Sequence, residues 1–431
     1  MRSTIFLFCL TPLLTVVSFR SVCLRLLAFI LFLLPVFFDW FCWVWWFSVL
    51  RLVIRFILVP TQIEQIKNKR GGFLLKFYCL LLARLLGCFF ASDLIIFYIF
   101  FELRALIVFL LVLGLGYQPE RLVARLYLLL FTLISSIPFF AYLLMDWRLV
   151  GFNRFEALTR LTASVNRINR RFLSVLLAIG FLVKFPIYFF HIWLPKAHVE
   201  ASARGSMILA GVLLKLGVYG LFRVSTFLNG TSINFILFFS LLGAGLIRIL
   251  CVRAHDLKIL IAYSSVAHMG FLIAALLANN FFGLWGSLGI RVAHGFASSG
   301  LFFGAGVFYN TSNSRIIVLN RGQLTWAPWF SLVWCLFCFR NIGTPPTINF
   351  WTEVFLILRV ARVRQFTLLL IGVSLFMRVV FSLLLFLLTQ RQKESTNALF
   401  YFAIRKKTML IVYLHLLGLL FRLIYFPLVF R

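Results

Sequence analysis

Long apolar stretches separated by short polar ones cover almost the whole of this 431-residue chain. A helix needs about 20 apolar residues to span a membrane, and many of the stretches have this length. The pattern predicts an all-α polytopic membrane protein with about fourteen transmembrane helices, near residues 4–19, 22–38, 40–59, 73–90, 92–115, 122–145, 172–190, 205–226, 232–251, 257–278, 281–308, 329–342 with a continuation to about 358, 366–389 and 408–429. Charged residues and Pro35 interrupt the first three segments, which could therefore fuse or shift.

Prolines interrupt two of the predicted helices. Pro186 lies in the segment 172–190, and Pro345 and Pro346 lie between residues 329 and 358. Proline removes a backbone donor and breaks the helical hydrogen-bond ladder. Unwound backbone at membrane depth is tolerated where protein buries it or where it lines a cavity. Corresponding breaks in two halves of a chain are typical of inverted-repeat transporters.

The composition is that of a membrane protein, and the net charge bears on which partners the chain has. Hydrophobic residues make up 63% of the chain, whereas soluble domains are about 45–50% apolar. The net charge is +31, but the arginines are scattered among apolar runs, so we do not expect a nucleic-acid partner. They could anchor the chain to anionic lipid headgroups, or they could pair with acidic neighbouring subunits.

The cysteines and glycines predict no redox or nucleotide site in this chain. Most of the eight cysteines stand singly in apolar segments, where a free cysteine behaves as a small hydrophobic residue. Cys335 and Cys338 have the spacing of a redox motif, but no second pair accompanies them, which argues against a metal or cluster site. No dinucleotide fingerprint or phosphate-binding loop is present.

Ionisable residues inside apolar segments are the candidate functional residues. Glu102, Lys184 and Lys215 each stand in such a segment. A charge at the bilayer centre costs about 2.5–3.5 kcal/mol on insertion scales, so these residues mark functional sites by default. Two alternatives remain: lysines can extend to the membrane surface, and Glu102 could belong to a structural ion pair. We expect Glu102 and Lys184 to lie within salt-bridge or one-water distance.

Two histidines and a glutamate extend this set. Ser264 and His268 are four residues apart, and so are His294 and Ser298, so each pair shares a helix face. This spacing suggests a hydrated polar strip, although a single membrane histidine is often only a packing residue. Glu353 follows the second proline break. We expect Lys215, His268, His294 and Glu353 to form one row near mid-membrane.

Two further expectations concern connections between helices. The basic stretch from Asp146 to Arg171 is predicted to be a surface loop that could be partly helical. Asp256 is predicted to cap the helix that follows it, because aspartate suits a helix N-terminus.

Several stretches resemble the antiporter-like membrane subunits of respiratory complex I, the NADH:ubiquinone oxidoreductase. They are Phe97–Glu102, Lys184, Pro186, His191, Trp193–Ala201 (WLPKAHVEA), Gly205–Met207, Leu213–Gly217, Asp256–Gly270 (DLKILIAYSSVAHMG), Ala293–Phe303 (AHGFASSGLFF) and Gly343–Phe350. The resemblance covers roughly residues 93–360. Gln118–Leu122 favours the subunit 4 branch of this family. The chain departs from the family at Arg104, close to Glu102, and at Ile107, where the family has proline.

The resemblance implies a fold of antiporter-like inverted repeats with two broken helices. Residues 1–90 would form N-terminal transmembrane helices, residues 91–227 the first repeat, residues 228–390 the second repeat, and residues 391–431 a loop and the last helix. The implied function is proton translocation in the membrane arm of complex I. The implied proton path runs through Glu102, Lys184, Lys215, His268, His294 and Glu353.

The resemblance also implies cofactors and partners. No cofactor is expected on this chain, because NADH, FMN, the iron–sulfur clusters and ubiquinone would belong to other subunits of the complex. The expected partners are other membrane-arm subunits, including the related antiporter-like ones, and anionic membrane lipids. The expected location is the mitochondrial inner membrane, with the chain encoded in the organelle. Two alternatives remain open: a subunit of a multi-subunit sodium/proton antiporter, and a structural membrane subunit that does not pump.

Overall fold

The computed structural model describes residues 71–115, 120–151, 155, 167–225, 228, 231–278, 281–345, 347–361, 365–390, 412, 415 and 416. Its α-helices are α1 (Gly71–Phe90), α2 (Leu94–Leu115), α3 (Arg121–Val150), α4 (Arg167–Lys184), α5 (Trp193–Glu200), α6 (Ala203–Ile208), α7 (Leu214–Val224), α8 (Thr231–Val252), α9 (Leu257–Leu277), α10 (Phe281–Ser312), α11 (Gln323–Trp326), α12 (Pro328–Ile342), α13 (Ile348–Ala361) and α14 (Gln365–Gln390). The predicted segments 4–19, 22–38 and 40–59 lie outside the described residues, as does nearly all of 408–429.

Six stretches of helix in the described part of the chain are long and apolar enough to cross a membrane. They are Leu94–Leu111, Arg121–Arg148, Ala203–Val224, Asn234–Val252, Leu257–Leu277 and Thr367–Gln390. Two shorter apolar helices are Phe172–Lys184 and Ile348–Leu358. The prediction of an all-α membrane protein is confirmed, and the total of about fourteen spanning helices stays a prediction.

The inner and outer helices differ in their burial. In helix α9, 89% of the apolar stretch is buried, and the helix packs between α8 and α10. In helix α3, only 33% of the apolar stretch is buried. The helix exposes an apolar stripe that includes Leu122, Leu126, Leu130 and Leu133. A stripe of this kind suits contact with lipid or a neighbouring subunit.

The first proline break lies between α4 and α5. Helix α4 ends at Lys184, two residues before Pro186, so the predicted segment 172–190 is interrupted where its proline predicted a break. Turns connect it to α5, and Phe189 adopts a φ of 73° there, an uncommon conformation for a bulky residue. The indole nitrogen of Trp193 donates a hydrogen bond to the Val183 carbonyl at 3.2 Å. This bond satisfies one of the carbonyl groups at the end of α4.

The second break separates α12 from α13. Helix α12 ends at Ile342, and Gly343 takes a φ of 79°, a left-handed conformation that glycine adopts without strain. Across the break, the side-chain amide of Asn349 donates to the Arg340 carbonyl at 2.8 Å. The prediction of two broken helices is therefore confirmed.

A π-helical turn, Leu209–Leu213, interrupts the apolar stretch between α6 and α7. No periodicity in the sequence marks this turn, because the residues around it are apolar on every side. Such turns occur often at functional sites, and this one ends two residues before Lys215.

The structure adds detail to the two predictions about connections. The stretch from Asp146 to Arg171 is helical at both ends, as the prediction allowed, because α3 continues to Val150 and α4 begins at Arg167. Asp146 is also only 1% exposed. Asp256 does occupy the N-cap position of α9, but its side chain forms no capping hydrogen bond. Its backbone instead forms a β-bridge with Ile316.

Candidate functional site

Glu102 and Lys184 form an ion pair between α2 and α4. The Lys184 side chain is 5% exposed and that of Glu102 is 21% exposed. The ammonium group also lies 4.2 Å from the ring centroid of Phe101, where the ring face attracts a cation. The prediction that Glu102 and Lys184 lie within salt-bridge distance is thus confirmed.

Arg104 connects the helix that carries Glu102 to the π-helical turn. Its guanidinium group donates to the Leu213 carbonyl at 3.1 Å and lies 4.3 Å from the ring centroid of Phe101. Arg104 is 5% exposed. Because its side chain reaches Leu213, Arg104 does not take the place of Lys184 beside Glu102.

Lys215 begins a second polar group, which continues through two histidines. Its ammonium donates to the Ala210 carbonyl inside the π-helical turn. It also lies 3.3 Å from Nδ1 of His294. The rings of His294 and His268 are 5.1 Å apart between centroids and meet edge to face. Helices α7, α10 and α9 thus bring these three residues together.

Asn341 and Arg378 extend the group to Glu353. Nε2 of His268 lies 3.1 Å from the side-chain oxygen of Asn341. The carbonyl of Asn341 accepts a hydrogen bond from Nε of Arg378 at 2.7 Å, and Arg378 forms an ion pair with Glu353. We call Lys215, His294, His268, Asn341, Arg378 and Glu353 the central polar row. All six members are at most 9% exposed.

The central polar row brings together the four residues that the sequence analysis placed in one row, and it adds two. Arg378 could have been found from the sequence, because it is a lone cation in an apolar segment. Asn341 gave little signal, because a single asparagine at the end of an apolar segment is common. The serines behave differently from the expectation of a polar strip. Ser264 and Ser298 donate to backbone carbonyls of their own helices.

Positive charge dominates the neighbourhood of Glu353. Arg248 is 1% exposed and interacts electrostatically with both Glu353 and Arg378. Its guanidinium also lies 4.5 Å from the ring centroid of Phe271. One carboxylate therefore faces two arginines, and this region of the row retains a net positive charge.

The described residues offer no obvious cofactor site. Among them, no group of three or more histidine, cysteine, aspartate or glutamate residues could hold a metal ion. Cys335 and Cys338 are both free thiols on α12. What the site presents is a set of titratable side chains in a largely apolar interior.

Broken helices together with buried charges are typical of the class of membrane transport proteins. A family model described as NADH:quinone oxidoreductase/Mrp antiporter, TM, matches residues 91–382. The chain is 40% identical to NADH-ubiquinone oxidoreductase chain 4 of Aedes aegypti over 75% of its own length and 72% of that protein. It is 38% identical to the protein of the same name from Ceratitis capitata, over 78% and 75% of the two lengths.

Solved structures show the same fold at lower sequence identity. A chain of respiratory complex I from Thermus thermophilus gives a TM-score of 0.76 at 24% identity, with 87% of this chain and 79% of that chain covered. A chain of an archaeal membrane-bound sulfane sulfur reductase gives 0.75 at 18% identity, with 85% and 79% covered.

The protein belongs to the NADH:quinone oxidoreductase/Mrp antiporter membrane family and, within it, to the group of NADH-ubiquinone oxidoreductase chain 4. The family resemblance drawn from the sequence motifs is therefore confirmed.

Proposed function

We propose that this chain is a proton-translocating subunit in the membrane arm of respiratory complex I. Other subunits would oxidise NADH and reduce ubiquinone, and they would hold the FMN and the iron–sulfur clusters. The observation that carries the proposal is the central polar row, a series of buried side chains from Lys215 to Glu353 that are joined by polar contacts and, between His294 and His268, by a ring contact. Buried polar residues are expensive in a membrane protein, and a connected series suits proton transfer.

The ion pair of Glu102 and Lys184 is the proposed switch. An adjacent carboxylate favours the charged form of a buried lysine, whereas burial alone disfavours it. Movement of Glu102 away from Lys184 would therefore promote release of a proton from Lys184. No redox group is needed for this step.

The proton would then pass from the switch to the central polar row. Arg104 supports this order, because it joins α2 to the π-helical turn whose Ala210 carbonyl holds Lys215. Movement of α2 would thus reach the backbone beside Lys215. His294 and His268 would carry the proton onward, and Glu353 would be the last carrier in this chain.

We also propose the division of the chain into two inverted repeats, residues 91–227 and 228–390. Each contains one of the two broken helices, at Pro186 and at Gly343. Residues 1–90 would add helices before the repeats, and residues 391–431 would add a loop and one helix after them.

The proposed partners are the other membrane-arm subunits, including the related antiporter-like ones, and anionic lipids of the mitochondrial inner membrane. The exposed apolar stripe on α3 suits both kinds of contact. We further propose that the chain is encoded in the organelle, because so apolar a chain would be hard to import.

A structural subunit that does not pump is the second candidate. The ion pair of Arg378 with Glu353 favours it, because a fixed partner can hold a carboxylate for packing alone. Arg104 beside Glu102 adds to this interpretation. A subunit of a sodium/proton antiporter is the third candidate, since the family model includes Mrp antiporters.

Native purification followed by transport measurements distinguishes the three candidates. Co-purification with flavin and iron–sulfur subunits, and NADH-driven proton uptake by vesicles that contain the complex, supports the proposal. Sodium-dependent proton exchange without NADH oxidation supports the antiporter. Full NADH-driven pumping by complexes with Lys184→Met supports a structural role.

A further inference from the structure

Asn341 occupies an unusual position between a titratable ring and an ion pair. Its side-chain oxygen lies 3.1 Å from Nε2 of His268, and its backbone carbonyl accepts from Arg378 at 2.7 Å. The residue is 3% exposed and lies at the end of α12, just before the second break. Arg378 and the helix end thus fix the backbone of Asn341, and its amide is left to contact His268.

The contacts along the row define which nitrogen of each ring carries a proton. A charged lysine is only a donor, so Nδ1 of a neutral His294 accepts from Lys215 and Nε2 carries the hydrogen. An amide oxygen is only an acceptor, so Nε2 of His268 carries its hydrogen and Nδ1 is bare. In both rings the hydrogen is therefore on Nε2. Nδ1 of His268 carries no hydrogen and can accept a proton.

We propose that Asn341 is a positioning residue that holds His268 as the tautomer with its proton on Nε2. The inference rests on the proposed proton path. In one transfer, Nδ1 of His268 accepts the Nε2 proton of His294, which takes a proton from Lys215 at its own Nδ1. The His268 imidazolium then releases its Nε2 proton to the Glu353 carboxylate through a bridging water. One proton enters and one leaves, and the hydrogen bond to Asn341 then favours return of the ring to its first tautomer. This bond thus prepares the ring for the next transfer.

The charges around His268 suit a short-lived imidazolium. The groups that interact electrostatically with its ring are Arg378 on α14, Arg248 on α8 and His294 on α10. Each disfavours a positive charge on His268 whenever it is itself charged. The neutral imidazole is the state in which the tautomer matters.

Two substitutions of Asn341 test the inference in the assembled complex. Asn341→Leu removes the acceptor and keeps a similar volume. A histidine in the wrong tautomer lowers the rate in a serine protease about 10⁴-fold, so we expect NADH-driven pumping to slow at least about tenfold. Asn341→Asp keeps the acceptor but adds a negative charge, which retains the proton on His268. Its pumping should recover towards the wild-type rate as the pH is raised, since release of the proton then becomes easier.

Asn320 provides the matched control. It is also a buried asparagine, 3% exposed, and its side chain contacts Ser312 and the carbonyls of Ser314 and Ile316, outside the central polar row. Asn320→Asp should therefore leave the pH profile of pumping unchanged. A wild-type pH profile for Asn341→Asp, or a wild-type rate for an assembled Asn341→Leu, overturns the inference. If Asn341→Leu does not assemble, the Asp variant alone decides.

A third variant separates this inference from the proposed function. Complexes with Lys215→Met are measured in the same preparation. Loss of pumping there, combined with normal pumping in Asn341→Leu, overturns only the role of Asn341. Normal pumping in Lys215→Met overturns the proton path itself.

Discussion

Removal of Arg378 should destabilise the chain more than removal of its partner Glu353. Arg378 is 1% exposed. It pairs with Glu353 and donates to the carbonyls of Asn341 and Ile342. Arg378→Met removes all three interactions and leaves the carboxylate buried. Loss of one partner of a buried ion pair costs about 3–5 kcal/mol, and each orphaned carbonyl adds about 1–3 kcal/mol.

Glu353→Gln is the smaller perturbation, because Arg378 keeps both carbonyl acceptors and glutamine can still accept a hydrogen bond. In the double variant, no carboxylate is left unpaired. We therefore expect the double variant to recover part of the stability that Arg378→Met loses. Residues that share an ion pair generally show interaction energies of about 0.5–3 kcal/mol.

In the assay, purified complexes are heated, and native electrophoresis shows the temperature at which they lose this chain. The expected order of decreasing stability is wild type, Glu353→Gln, the double variant, and Arg378→Met. Arg340→Met is the control, because Arg340 is also buried but its terminal nitrogens have no hydrogen-bond partner among the described residues. Additive losses in the double variant, or a loss in Arg340→Met as large as that in Arg378→Met, would refute the reasoning.

Two further predictions concern the switch and the packing around it. Complexes with Glu102→Gln should assemble but lose NADH-driven pumping, because an amide cannot change the charge beside Lys184; unchanged vesicle acidification would count against the switch. Gly220→Ala should destabilise the chain by about 1–3 kcal/mol through overpacking, since the added carbon would lie 2.1 Å from the Phe181 ring. Gly245→Ala, where the new carbon meets no atom within 4 Å, should be neutral or stabilising in thermal unfolding.

The sequence predicted the features that depend on polarity in an apolar background. Glu102, Lys184 and Lys215 were found because a charge inside a membrane segment is rare and expensive. The two breaks were found because proline lacks a backbone donor. These signals are local, so one segment at a time was sufficient to identify them.

The features that the sequence could not predict depend on packing between segments. The π-helical turn Leu209–Leu213 is apolar throughout, so no periodicity marks it. The bond from Arg104 to the carbonyl of Leu213 joins residues 109 positions apart. Asn341 became a candidate only when α9 and α12 were seen to place its amide beside His268.

Lys258 is a buried lysine outside the central polar row. It is 7% exposed and donates to the carbonyls of Val199 and Ala201, at 3.2 and 2.8 Å. These carbonyls lie at the C-terminal end of α5, where cations are favourable. Lys215, by contrast, also contacts the titratable ring of His294.

The comparison of these two lysines gives the most direct test of proton translocation through the central polar row. Lysine can release a proton, whereas arginine stays charged because its pKa is above about 12. The measurement is the number of protons pumped per electron in fully assembled complexes with Lys215→Arg, Lys215→Met or Lys258→Arg. We predict that both Lys215 variants lose coupled pumping and that Lys258→Arg keeps it. Wild-type pumping per electron in both Lys215 variants would contradict the account.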